Sequence, residues 1–469
     1  MNHLQFLEQF RKTPERKPQL TLLAAFAVVI LVGALLLWSP FAQNPNLPRL
    51  SFLNALFTSA SATCVTGLTV TDVSRQFSAF GKLLVMMLEQ IGGIGIMPFA
   101  AFFVILAGRK LTTDKENLLT SSMGGKPNRT LKSLLLTTMA LTFFTEGIGA
   151  AVLTVLYVSH GLSPLAALKL GCFHASSAFC NAGFTLYPDN LVSAQSDGWL
   201  LLVIGILIIL GGLGFYVIQS IIKWKPWLRD VRKRGRLPVH CTIVLWSTLF
   251  LIAVGTALFL AFEWNHSLRG MTVADKLGLA LFQTVSTRTA GFNVIDTGEM
   301  SVATQFMSMV LMFIGGAPGS TAGGIKVTTA VIMLATMSAI IRGRNTTLIR
   351  NRVIPESVIR EAVAISCLSA LVIGLTFGVL LLTEARTLAA THTGGTCGTV
   401  RLLFETISAL STNGLSVNHT ATLSTAGRCI VIAAMYIGRL GPMTLALSVG
   451  TARRKIDHIH YPEEEVLIG

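Results

Sequence analysis

The sequence predicts an all-α polytopic membrane protein. It would be built from four M1–P-loop–M2 repeats: eight spanning helices plus four pore half-helices around a pseudo-fourfold pore axis. Three observations predict this. First, the 469 residues are 52% hydrophobic and only 13% charged, about half the charged share of a soluble domain. Second, long apolar runs recur at 20–38, 83–107, 200–222, 239–262, 363–382 and 426–449, each near the ~20 residues that a spanning helix needs. Further spans are expected at 131–158 and 302–341. Third, four polar, glycine-centred pieces interrupt this apolar background: "TCVTGLTV" (63–70), "FCNAGFTL" (179–186), "TRTAGFNV" (287–294) and "LSTNGLSV" (410–417).

The elements follow in order. A basic tail (1–17) precedes the first apolar run. That run lacks a small-residue cleavage site at its end, "LLLWSPF", and reads as a spanning helix rather than a signal peptide. The units are placed at 18–110, 130–225, 238–345 and 358–452, with a tail at 453–469. Between them lie basic clusters such as "KWKPWLRDVRKRGR" (223–236) and "RGRNTTLIRNR" (342–352). Concentrating Lys and Arg in alternate short loops puts those loops and both termini in the cytoplasm. It also accounts for the net charge of +15 without nucleic acid. Each unit then starts and ends on the same side, so all four run in the same direction.

Three landmarks repeat inside each unit. A Phe-led short helix comes first: "FTSASATCVTG" (57–67), "FHASSAFCNAG" (173–183), "FQTVSTRTAG" (282–291) and "FETISALSTNG" (404–414). Phe to Gly takes ten steps in three units and nine in the third. The glycine itself comes second: Gly67, Gly183, Gly291 and Gly414, each followed by Leu or Phe. A glycine cluster in the following helix comes third: "IGGIG", "LGGLG", "IGGAPGSTAGGIK" and "IGRLG". Parallel repeats can close around a central axis, and non-helical backbone at membrane depth is tolerated where it lines a water-filled path.

A dehydrated monovalent cation needs oxygens in place of its water, and rings of backbone carbonyls supply them. Carbonyls turned to an axis need unusual backbone angles, which Gly adopts readily. The expected ion filter is therefore Thr63, Cys64, Val65, Thr66 and Gly67; Phe179, Cys180, Asn181, Ala182 and Gly183; Thr287, Arg288, Thr289, Ala290 and Gly291; and Leu410, Ser411, Thr412, Asn413 and Gly414. The plainer alternative for any one glycine is close helix packing.

"GGAPGSTAGGIK" (315–326) holds five Gly and one Pro in twelve residues, too many for a continuous helix. It is expected to form a mid-membrane gate from Gly315, Gly316, Gly319, Ser320, Thr321, Gly323, Gly324 and Lys326. Arg439, at the matching place in the fourth unit, is costly inside a membrane and should face the pore or a partner. Arg288 should point behind the filter and pair with a carboxylate, for which Glu405 is the candidate. Glu89 and Glu146 are expected to be pairing groups or sodium sites, and His174 a packed side chain. The seven cysteines have no CxxC spacing and read as small buried hydrophobes. No Walker or GxGxxG-after-strand pattern and no catalytic cluster is present, so the chain reads as a non-enzyme with no nucleotide site of its own.

At these residues the sequence resembles the Trk/Ktr/HKT superfamily of potassium transporters, from about residue 18 to the C-terminus. "TRTAGFN", "GGAPGSTAGGIK" and "QIGGIGIM" (90–97) carry the resemblance. It implies one pore from four units, K⁺ as the transported ion, an intramembrane gating loop in the third unit and an Arg barrier in the fourth. The short N-terminal segment and "YPEEEVLIG" (461–469) are similar to the KtrB type of membrane subunit. That implies a homodimer in a bacterial inner membrane, a cytosolic KtrA-like RCK ring that binds ATP or ADP, and Na⁺ as activator. Two other readings stay open: an alternating-access secondary cation transporter, and Na⁺ as the main cargo. The first usually shows inverted repeats, which the unit direction does not suggest.

Overall fold

The computed structural model describes residues 18–95, 98–99, 131–224, 237–385, 398–441 and 444. Both tails, most of the basic clusters, and the unit boundaries drawn at 110, 130, 225 and 452 lie outside the described residues.

The chain is helical and repeats one order four times. The first unit has α1 (Pro18–Trp38), the short α2 (Phe52–Thr63) and α3 (Ala79–Ile94). The second has α4 (Leu131–Ser159), α5 (Pro164–Cys180), α6 (Gly198–Leu213) and α7 (Phe215–Trp224). The third has α8 (Val239–Glu263), α9 (Val273–Ser286), α10 (Val302–Phe313) and α11 (Val327–Ile341). The fourth has α12 (Glu356–Thr383), α13 (Gly398–Leu410) and α14 (Thr425–Leu440). Among the described residues, four helices are long and apolar enough to cross a membrane: Leu20–Trp38, Leu135–Ser159, Val239–Glu263 and Glu356–Thr383. Their outward faces carry large apolar side chains, such as Trp246, Phe250, Leu375 and Leu382, suited to lipid.

Sequence sets the start of the second long helix in every unit. Ser78, Asp197, Ser301 and Ser424 each stand at the N-cap, where the side chain accepts an amide of the first turn. This satisfies a donor that the helix leaves orphaned. Glu263 and Glu384, at the ends of α8 and α12, reinforce two of these starts. Each accepts from the backbone amide of the capping Ser301 or Ser424.

The packing closes into a ring. Within each unit the first long helix packs on its own short helix, α1 on α2, α4 on α5, α8 on α9 and α12 on α13. The second long helix then packs on the next unit's short helix: α3 on α5, α6 on α9 and α10 on α13. The last, α14, returns to α2. The helical membrane class stands, and this cyclic order is consistent with the expected pseudo-fourfold arrangement.

Two details differ from the sequence-based expectation. The apolar runs at 83–107, 200–222 and 426–449 read as unbroken spans, yet the helices stop at Ile94, Leu213 and Leu440. The next residue is glycine with φ of 94° at Gly95, 86° at Gly214 and 82° at Gly441. A left-handed residue ends a right-handed helix, and only Gly takes that conformation cheaply. In the second unit α6 and α7 meet at 97°. The second detail is a small antiparallel hairpin among the described residues, Leu348–Ile349 with Arg352–Val353. Arg350 and Asn351 turn it with positive φ, as a tight hairpin turn requires.

Candidate ion-conduction site

The four short helices end in one repeated geometry. Four places after each lead Phe stands a serine: Ser61, Ser177, Ser286 and Ser408. The amide of the residue before each glycine donates to that serine's carbonyl: Thr66 to Ser61 at 2.8 Å, Ala182 to Ser177 at 2.8 Å, Ala290 to Ser286 at 3.0 Å, and Asn413 to Ser408 at 2.9 Å. The third unit closes this turn with one residue fewer, which absorbs its nine-step spacing. Two places before each glycine the backbone is left-handed, with φ of 55° at Val65, 57° at Asn181, 69° at Thr289 and 48° at Thr412. Three of these residues are β-branched and take that conformation at a cost.

The turns bring the four glycines together. Their φ values are 90° at Gly67, 71° at Gly183, 78° at Gly291 and 93° at Gly414. A Cβ on Gly67 would lie 2.6 Å from the Ala182 carbonyl oxygen, one on Gly183 2.7 Å from Ala290 O, and one on Gly291 2.5 Å from Asn413 O. On Gly414 it would run into Thr66 O, which closes the circle. The carbonyls of Thr66, Ala182, Ala290 and Asn413 accept no hydrogen bond among the described residues. The site is thus a ring of free backbone oxygens at which no side chain fits, a chemistry suited to a bare cation.

The segments leaving the ring are tied back to the short helices. The residue after each lead Phe accepts the amide three places past the glycine in three units: His174 Nε2 from Leu186 at 3.1 Å, Gln283 Oε1 from Val294 at 3.4 Å, and Glu405 Oε1 from Val417 at 3.2 Å. The serines add Phe184 N to Ser177 Oγ at 3.0 Å, Gly414 N to Ser408 Oγ at 3.2 Å, and Ser286 Oγ to Phe292 O. The first unit lacks both ties: Thr58 bonds within its own helix and the buried Ser61 hydroxyl has no partner. Sequence reasoning named His174 and Glu405 in other roles and missed these ties, although the serine at Phe plus four is plain once the units are aligned.

The glycine-rich loop at 314–326 lies against this ring. It is a pinched hairpin, with Gly315 N on Ile325 O at 2.9 Å and Val327 N on Gly316 O at 3.0 Å. The break in the second unit holds one side, through Ala317 N to Gly212 O at 3.0 Å and Phe215 N to Gly319 O at 3.1 Å. Its tip reaches the Phe179 and Ser411 carbonyls of two ring segments. Thr321 Oγ1 donates to Phe179 O at 3.1 Å, and Gly323 abuts Thr412 Oγ1 and Ser411 O. Ser320 Oγ and Lys326 Nζ bond inside the loop, to Ala317 O and Ala322 O. Gly324 has φ 67° beside Gly315. Arg439 spans the structure: Nη1 donates to Thr321 O at 2.6 Å, and Nη2 to Gly92 O and Gly93 O. One guanidinium therefore joins the loop to α3 of the first unit.

The expected partner of Arg288 is a correction. Glu405 serves Ser416, Val417 and Thr420 instead. Arg288 donates to the Gly315 carbonyl at 3.4 Å and lines a small cavity behind the ring with Ile208, Thr248, Ile252 and Gly316. A carbonyl of the loop, rather than a carboxylate, meets its charge. His174 is a packed side chain as expected, bonded to Tyr157 Oη at 2.7 Å and stacked on Tyr187.

The chain is similar to known proteins along nearly its whole length. Residues 5–454 match the family model TrkH, described as a cation transport protein. The chain is 37% identical over 458 residues to Ktr system potassium uptake protein B of Bacillus subtilis, covering 96% of this chain and 97% of that protein. It is 33% identical over 448 residues to the potassium/sodium uptake protein NtpJ of Enterococcus hirae, covering 95% and 96%. The fold is similar to the crystal structure of the potassium transporter TrkH from Vibrio parahaemolyticus, with a TM-score of 0.70 at 20% identity over 94% of this chain and 86% of that one.

Proposed function

Because the chain belongs to the TrkH family of cation transport proteins, we propose that it carries K⁺ into the cell through a pore. The filter would be the carbonyl ring at Gly67, Gly183, Gly291 and Gly414. The observation that carries this reading is the closed circle of glycines, each against the unpartnered carbonyl of its neighbour's Thr66, Ala182, Ala290 or Asn413. Four matching turns in sequence-distant places are not what isolated helix packing would produce. Conduction would be downhill, with the membrane potential supplying ~2.3 kcal/mol per charge per 100 mV. The loop at 314–326 would be the gate, since it lies against the Phe179 and Ser411 carbonyls of two filter segments and is held by Arg439.

The finer reading covers setting and partners. We place the chain in a bacterial inner membrane with both termini cytoplasmic, as a homodimer on a KtrA-like ring that binds ATP or ADP, with Na⁺ as activator. The relatives' names, which speak of a Ktr system, support a partner. Sodium as a second cargo is favoured by the potassium/sodium naming of the Enterococcus hirae relative.

Uptake of ⁸⁶Rb⁺ into liposomes holding the purified chain, alone and with a KtrA-like subunit and ATP, tests this. Unlabelled K⁺ should suppress uptake at concentrations where Na⁺ does not. Equal suppression by both ions would favour the sodium reading. Uptake absent even with the subunit and ATP would reject the pore.

A further inference from the structure

Glu89 and Glu146 are used by nothing described so far. Glu89 lies on α3 of the first unit and Glu146 on α4 of the second, so they meet at the seam between units. Glu89 is fully buried, and neither carboxylate oxygen has a hydrogen-bond partner. Gln90 Nε2 donates to Glu146 Oε2 and, at 2.9 Å, to Ser176 Oγ. Gln90 Oε1 is left buried and without a partner. Cys180 Sγ lies 3.6 Å from Glu146 Oε1. The donors at the seam therefore serve Glu146 and leave Glu89 alone. Among the described residues neither carboxylate has an ion-pair partner, and Arg439 spends its guanidinium on three carbonyls.

A buried carboxylate with no partner is expensive, and three lone oxygens beside a second carboxylate form a ligand set for a hard cation. We propose that Glu89, Glu146 and the Gln90 side-chain carbonyl bind a sodium-sized monovalent cation at this seam. The enclosure argues against Mg²⁺, which gives up its water reluctantly. The strong field of two carboxylates favours the smaller alkali ion, while weaker carbonyl dipoles suit the larger one. The site also touches the filter. Cys180 belongs to the second filter segment, and a Cβ on Gly93, one turn past Glu89, would lie 2.6 Å from its sulfur. An occupied site would hold α3, α4 and that segment together. This consequence for transport rests on the pore reading; the binding itself does not.

The test is ²²Na⁺ binding to the full chain in detergent, with K⁺ in saturating excess. Wild type should bind one Na⁺ per chain. Glu89→Gln and Glu146→Gln should each weaken binding at least ~10-fold, the least that metal sites lose when a supporting group is removed. Arg360→Ala, at an exposed pair with Glu356 on α12 far from both ring and seam, should bind Na⁺ as wild type does. Melting in K⁺ reports folding, and Gln90→Leu replaces any variant that does not fold. Undiminished binding in the variants overturns the proposal. So does wild type that binds no Na⁺ at mildly acidic and mildly alkaline pH alike, the outcome for a pair that holds protons only. Failure of the pore reading would appear separately, as ⁸⁶Rb⁺ uptake unchanged by Gly291→Ser.

Discussion

Serine at Gly291 should lower ⁸⁶Rb⁺ uptake roughly 10-fold or more and let Na⁺ compete where wild type excludes it. Two costs combine. The backbone is at φ 78°, where a side chain costs about 1–2 kcal/mol. The new Cβ would also stand 2.5 Å from the Asn413 carbonyl oxygen, closer than real side chains come, so one segment must move. Each 1.4 kcal/mol is a factor of ten, and moving an oxygen of the ring changes the coordination on which discrimination depends. The same substitution at Gly67, Gly183 or Gly414 should act alike, because each glycine faces its neighbour's carbonyl. A far milder effect at one position would single out that quarter as not lining the path. The uptake assay with K⁺ and Na⁺ competition checks all four.

The second large effect is expected at Arg439. Its guanidinium joins Thr321 O on the loop to Gly92 O and Gly93 O. A hydrogen bond to a charged group contributes about 1.5–3 kcal/mol. If the bond to Thr321 exists only while the loop blocks the path, its loss shifts the loop equilibrium by roughly 10- to 100-fold. Arg439→Gln should therefore raise ⁸⁶Rb⁺ uptake about 10-fold and reduce dependence on the cytosolic subunit. Arg439→Lys keeps the charge but reaches fewer carbonyls and should fall between. A folded Arg439→Gln protein with unchanged or reduced uptake would show that the residue does not hold the loop shut.

The places where sequence reasoning succeeded and failed have separable physical causes. The four glycines and the loop at 315–326 were legible because Gly and Pro are local signals, and four aligned copies multiply a weak one. The left-handed Val65, Thr289 and Thr412 were not legible. Local preference speaks against β-branched residues there, and only closure of the ring imposes it. The breaks at Gly95, Gly214 and Gly441 were hidden because an apolar helix tolerates an occasional glycine. The ties from His174, Gln283 and Glu405 join the later part of a short helix to non-helical backbone more than ten residues on, a distance at which periodicity says nothing. Pairing Arg288 with Glu405 failed for the same reason. Opposite charges suggested a contact, but the fold spent Glu405 on Val417 N and neighbouring hydroxyls and gave Arg288 a loop carbonyl.

The central claim is that four backbone segments enclose one ion path. The most direct measurement is anomalous diffraction from crystals grown in Rb⁺. The account predicts Rb⁺ density on the axis, ringed by the carbonyls around Gly67, Gly183, Gly291 and Gly414. A ring that stays free of Rb⁺ while Rb⁺ density appears elsewhere in the protein would contradict it.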